Sequence, residues 1–350
     1  MVFDRKRDVL AALSYGVDFL RCCQQSDGAW SDFNISIWGS SDEWVTAYVC
    51  CALRNVNSPR LQESTSRAAR AISVRQRPNG GWGYNNRIPP DADSTSFAIR
   101  ALFGLSSSWN YEKAQAFLMG HRGRCLDGFK TFSSEEELQS LDRHSGRENR
   151  SFVGWCSSHL EVTASVVESL CTLRPDEADQ LRSTINFIEK SQKSDGLWTG
   201  YWMTDVFYPT CRAVLALRRF RPASDRRFRP TSRALSAKQH RDGSWRPLGE
   251  SLGCPFRTAL AAETLLLIDS KAVSTEAATN WLLGHQRPDG SWASAAPFLR
   301  IPPPHVLAPD EYKGWGADGS GRGAMYVDIR RTLTTATVVS YLAADLRTSS

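Results

Sequence analysis

Apolar residues along this 350-residue chain recur at helical spacing, and the segments that carry them come in pairs joined by a turn. The first of a pair is helix-compatible text such as GVDFLRCC before Gln24 or ATNWLLGH before Gln286. The second opens on a threonine and ends in leucine: TAYVCCAL from Thr46, TSFAIRAL from Thr95, TCRAVLAL from Thr210, TALAAETL from Thr258. These second segments are rich in Ala, Val and Leu all round, which suits helices touched on several sides. Between the two lies one spacing, QxxxGxW, found at Gln24 to Trp30, Gln76 to Trp82, Gln192 to Trp198, Gln239 to Trp245 and Gln286 to Trp292. Asp-Gly or Asn-Gly lets the backbone reverse with a positive φ, the Gln amide satisfies helix-end groups, and the Trp lays a large face between units. The motif therefore reads as a staple, without chemistry.

A sixth, worn unit has LDGF (Leu126 to Phe129) as its turn and TASVVESL from Thr163 as its second helix, and the last QxxxGxW leads to TATVVSYL from Thr335. Six helix pairs either form an open superhelix or close into a barrel of inner and outer helices. Composition fits a globular chain, with 41% hydrophobic and 23% charged residues. The net charge of +6 is spread along the chain with no basic arm, which speaks against nucleic acid. Nine cysteines, an odd number without a CxxC, read as reduced thiols of a cytoplasmic protein. The opening MVFDRKRDVL lacks a following apolar core, and no apolar run is long enough to cross a bilayer, so neither secretion nor a membrane span is expected.

The repeats resemble the QW motif of the terpenoid cyclase and protein prenyltransferase superfamily: Gly16, Phe19, Leu20, Gln24, Gly28 and Trp30 match it, as do Ala278, Trp281, Leu282, Gln286, Gly290 and Trp292. The resemblance runs from about Ala11 to Leu342 and implies an all-α, single (α/α)6 barrel with an apolar central cavity for an isoprenoid. The zinc ligands of prenyltransferase β subunits have no counterpart, since Cys254 lacks an Asp two residues earlier; GCxEQ and DDxxD are also missing. Class II terpene cyclases, of the squalene-hopene cyclase kind, carry DxDD followed by Thr at the start of an inner helix. There the middle Asp protonates an alkene or epoxide. Here the string is DADST: Asp91 and Asp93 match the first two acids, Thr95 the Thr, and Ser94 stands at the third.

Two readings of DADST compete, a helix cap and an acid. Aligned on their threonines, the six inner helices place Trp44, Glu161, Tyr208, Phe256 and Leu333 where this one has Asp93, so the repeat itself does not require an acid there. Capping survives for Asp91. Protonating a carbon–carbon double bond needs a neutral carboxyl in a dry site, which burial among aromatics supplies. Aromatic faces then steady the cation, and Trp44, Tyr48, Phe97, Trp155, Tyr208, Phe256 and Trp315 are the candidates, with Thr95 beside them. His159 and Glu161 align with Asp91 and Asp93 in the neighbouring unit and are candidates for the base or for a partner to the acid.

Insertions at about 130–158 and 293–332 fall between a turn and its inner helix and are expected to lie over the barrel mouth as lids. Arg147, Arg150 and Arg322 on them suit a diphosphate. The basic run from Leu217 to Pro230 belongs at the opposite end, as a solvated face or a contact with a partner or a membrane. The expected activity is protonation-initiated cyclisation of an apolar isoprenoid by Asp93, in a monomer or homodimer. No cofactor is called for, and Mg²⁺ enters only with a diphosphate substrate. The alternatives are an acid-catalysed cyclase of a prenylated or polyene natural product, and a non-catalytic isoprenoid-binding barrel or prenyltransferase β-like subunit.

Overall fold

The computed structural model describes residues 5–35, 38–106, 108–123, 128–143, 150–247, 249–269, 273–315 and 323–348. The outer helices are α1 (Arg5–Cys23), α3 (Gln62–Ser73), α5 (Tyr111–Gly120), α8 (Arg182–Lys190), α10 (Phe228–Lys238) and α12 (Val273–Gly284). Each is followed by an inner partner: α2 (Glu43–Val56), α4 (Ala92–Leu102), α7 (Leu160–Leu173), α9 (Phe207–Leu217), α11 (Pro255–Ile268) and α13 (Thr332–Thr348). Successive inner helices pack side by side, and α13 returns to pack on α2, so the ring is closed. A short helix, α6 (Glu135–Arg143), lies in the first insertion. Strands are confined, among the described residues, to two small antiparallel pairs, β1 (Asp32–Ile35) with β2 (Gly39–Ser41), and β3 (Leu299–Ile301) with β4 (Ala324–Tyr326).

The QxxxGxW staple works through four bonds that recur around the ring. Gln24 Nε2 donates to Gly28 O within its own turn and to Ser64 O on the next outer helix, each at 2.9 Å. In the last unit, Gln286 Nε2 donates to Ala12 O at 2.9 Å, which ties the end of the repeat array to its beginning. Each Trp indole N–H caps the end of its own outer helix, as Trp30 Nε1 does on Leu20 O at 2.7 Å. The Trp backbone N–H bonds to the inner-helix threonine, as in Trp82 N to Thr95 Oγ1 at 2.9 Å. Phe129 lacks the indole N–H yet keeps this last bond, to Thr163 Oγ1 at 2.8 Å. Gly290 is required by its φ of +85° and by contact: a Cβ there would lie 2.3 Å from Tyr15 O.

The inner helices begin up to three residues before the threonines that mark them in the sequence, because each threonine belongs to the first turn. Thr163 Oγ1, for example, donates back to His159 O at 2.7 Å. The residues that precede the threonines thus lie at the N-terminal end of the inner ring, around the barrel mouth. Among the described residues eight cysteines are free thiols, and no helix is long and apolar enough to cross a membrane.

Candidate active site

DADST divides its labour between the two carboxylates. Asp91 is the N-cap of α4: Oδ1 accepts the Ser94 backbone N–H and Oδ2 accepts the Ser94 hydroxyl, both at 2.7 Å. Ser94 is therefore spent on holding Asp91. Burial pushes the Asp91 carboxyl up to about 7, against the pull of its Ser94 bonds. Asp93 caps nothing. Its Oδ1 is sealed from solvent without a hydrogen-bond partner. Burial raises its pKa above the ordinary carboxylate value, opposed by Ser165, Arg212, Arg100 and Trp44. A shift of this sign favours the neutral carboxyl, the form that a proton donor to carbon needs.

Asp91, Asp93, Ser94, Glu161, Trp44 and Tyr208 line one cavity at the N-terminal end of the inner ring, whose walls and roof are completed by Trp38, Tyr84, Phe132, Trp202, Leu299 and Ile301. Its volume is about 90 Å³. Pockets that hold small molecules span roughly 300–1,000 Å³, so a ligand of that size enters only if the roof lifts. That roof is built by both insertions. Trp155 Nε1 donates to Pro302 O at 2.9 Å and Gly154 N to Pro304 O at 2.8 Å, which locks the first insertion to the second. A hairpin unforeseen in the sequence, β1–β2, brings Trp38 into the same cluster, its ring 5.1 Å from Trp155.

Other candidates lie elsewhere. Tyr48 and Phe97 face a second, larger cavity of about 530 Å³ toward the C-terminal end of the inner helices, lined by Arg100, Glu168, Arg212 and Glu263. Phe97 sits beneath two guanidiniums, 4.2 Å from Arg100 and 5.2 Å from Arg212, and Tyr48 bonds to Thr337 at 2.8 Å. That chamber is charged, and the acid is not in it; only Tyr208 touches both. Thr95 is a staple threonine turned toward Trp82. Phe256 stacks on Phe298 at 4.0 Å, outside the acid cavity. Trp155 pins the roof, and Trp315 packs edge-on against Tyr312 at 5.4 Å. Arg150 is half-buried at the edge of the first insertion; Arg147 and Arg322 lie outside the described residues.

His159 does not reach the cavity. Its Nδ1 bonds to Thr131 Oγ1 at 2.7 Å, its Nε2 to Gly154 O at 2.9 Å, and its ring stacks on Tyr201 at 3.9 Å. Trp202 Nε1 donates to Thr131 Oγ1, so the hydroxyl proton points to Nδ1 and the Nε2 proton to Gly154 O. Burial lowers this imidazole to about 3, and it serves as a neutral strut for the roof. Glu161 has a double character. Oε1 accepts the Tyr201 and Trp202 backbone N–H groups at 2.6 and 2.7 Å, while Oε2 is buried without a partner. Arg300, which belongs to no motif of the sequence, donates to Gly200 O and Tyr201 O from β3 and so clamps the same loop. The basic run from Leu217 lies at the far end, where Arg218 Nε caps Leu267 O and Arg221 pairs with Glu189 at 3.0 Å.

A closed ring of QW units with a buried DxD acid at its mouth is the architecture of class II terpene cyclases. The model of the squalene-hopene cyclase C-terminal domain matches residues 2–96 and 84–298, and the chain belongs to that family. A variant of the type II terpene cyclase MstE from Scytonema, solved with geranylgeranyl dihydroxybenzoate, superposes with a TM-score of 0.89 at 30% identity, covering 99% of this chain and 100% of that one. The squalene-hopene cyclase of Alicyclobacillus acidocaldarius is 27% identical over 304 residues, 76% of this chain and 46% of that protein. Drimenyl diphosphate synthase of Streptomyces showdoensis is 25% identical over 238 residues, 65% of this chain and 40% of that one. The chain thus spans less than half the length of these two curated relatives.

Proposed function

We propose that this barrel is a terpene cyclase in which Asp93 protonates an alkene of a bound isoprenoid and the resulting cation closes rings inside the aromatic cavity. The observation that carries this reading is the division within DADST. Asp91 supplies the side-chain cap of α4, which leaves the half-buried Asp93, its Oδ1 sealed from solvent and its pKa raised by burial, free of capping. The ring faces of Trp44, Phe132, Trp202 and Tyr208 surround the space where positive charge would travel. Glu161 Oε2, on the inner helix next to the acid, is the acceptor we assign to the closing deprotonation, and Oε1 fixes its orientation. Glu161→Gln should then shift products toward water-quenched alcohols while cyclisation still begins; an unchanged product spectrum would remove the role.

The substrate class we favour is a prenyl chain carried on an aromatic acid, because the neighbour that matches over its whole length was solved with geranylgeranyl dihydroxybenzoate. A prenyl diphosphate is the second reading, from the drimenyl diphosphate synthase relatives. Incubation with geranylgeranyl dihydroxybenzoate, farnesyl and geranylgeranyl diphosphates and squalene, followed by mass spectrometry, separates them. Cyclised dihydroxybenzoate product, formed equally well in EDTA, is expected. Product from the diphosphates alone, abolished by EDTA, would favour the second reading, and no product from any substrate would favour a binding barrel.

A further inference from the structure

Four buried polar atoms around the acid, Asp93 Oδ1, the Ser165 hydroxyl, the Trp44 indole N–H and the Tyr208 hydroxyl, make no hydrogen bond of standard geometry, although Ser165 and Trp44 stand close enough to Asp93 to act on its carboxyl. They sit on neighbouring walls of one ring. Asp93 is in the first turn of α4, Trp44 in the first turn of α2 on one side, Ser165 in the second turn of α7 on the other, and Tyr208 opens α9. An unsatisfied buried donor is costly, and native interiors hold few of them. Packing does not account for three donors around one acid. Substrate contact does not account for Ser165, which does not line the cavity.

We infer that Trp44, Ser165 and Tyr208 form a donor cradle for the conjugate base of Asp93, loose around the neutral acid and drawn tight when its proton leaves. The inference rests on Asp93 being the acid proposed above. In the transfer step the alkene π pair forms the new C–H bond, and the O–H electron pair remains on the carboxylate. Burial favours the loaded acid and penalises the anion that transfer creates. Donors that gain their bonds only as charge develops lower the barrier without holding the ground state. Ser165 and Trp44 already bias Asp93 toward the anion, as do Arg212 and Arg100, while Asp93 and Asp91 repel one another as anions. Tyr208 is the third donor, and its own ionisation is suppressed by burial and by Asp93.

The test removes one donor at a time with little change of shape: Ser165→Ala, Trp44→Phe and Tyr208→Phe. The Asp93 titration is read by the infrared carbonyl band that disappears in Asp93→Asn, which needs no substrate. Losing a donor to the anion should raise the midpoint by about one pH unit or more in at least the Ser165 and Trp44 variants. With substrate, kcat should fall by about 10²-fold with KM held within about twofold. Because the protonated form is the active one, the alkaline limb of the rate profile should move upward with the midpoint. Ser165→Thr retains a hydroxyl and should restore both. A midpoint unmoved in all three variants overturns the cradle, as does a folded Ser165→Thr that behaves like Ser165→Ala. A midpoint that moves in a protein with no cyclised product would uphold the cradle and sink the cyclase reading.

Discussion

Asp93→Asn is expected to lower cyclisation by about 10³-fold or more, the range that general-acid catalysis supplies when the transferable proton is deleted. The change is nearly isosteric, and the carboxyl it replaces makes no hydrogen bond through Oδ1 and caps no helix. Unfolding free energy should therefore change by less than about 1–2 kcal/mol. Asp91→Ala should behave in the opposite sense, losing both Ser94 bonds and about 1–2 kcal/mol of cap. Asp91→Asn keeps the acceptor for the Ser94 N–H and should slow turnover only in part. Product formation is followed by mass spectrometry and stability by urea denaturation. An Asp93→Asn protein turning over at near the parent rate would refute the acid assignment, and Glu161 would be the next residue to replace.

The second large effect lies below the acid and concerns folding. Glu168 holds Arg100 at 3.0 Å through Oε2 and Arg212 through Oε1, with both arginines stacked on Phe97. Glu168 and Arg212 are each only 7% exposed. Glu168→Ala removes the carboxylate that bridges the two guanidiniums, leaving Glu263 as the remaining acid of the chamber. Breaking a buried pair by removing one partner typically costs about 3–5 kcal/mol, and the urea midpoint should fall accordingly. Replacing all three residues together by Leu and Met should recover most of that loss, since the penalty comes from unpaired buried charge. A Glu168→Ala protein with the parent midpoint would mean that water in the lower chamber already solvates both arginines.

The repeat, its period and its staples are legible in the amino-acid sequence alone, because each rests on local chemistry. Glycine supplies the positive φ, the indole supplies a donor for the helix end ten residues back, and threonine closes the first turn of the inner helix. Such bonds depend on nearby residues and recur with the motif. The acid position is legible for a related reason: DADST interrupts a register that elsewhere holds Trp, Tyr, Phe, Leu or Glu. That the ring closes, through Gln286 on Ala12, involves residues 274 positions apart and follows from the summed rotation of six pairs.

Which polar atoms are used up and which are left over is settled only in three dimensions. His159 and Glu161 look equivalent to Asp91 and Asp93 along the chain. In space, Thr131 and Gly154, carried by the first insertion, consume both nitrogens of His159, while the Tyr201–Trp202 loop consumes one oxygen of Glu161 and leaves the other bare. Tyr48 and Phe97 share the aromatic character of Trp44 but sit a turn or so deeper, and that displacement moves them into the charged chamber. Ser165 carried no signal at all, being one serine in an apolar helix. Its meaning comes from the neighbouring helix that sets Asp93 beside it, a contact that side-chain periodicity within α7 does not encode.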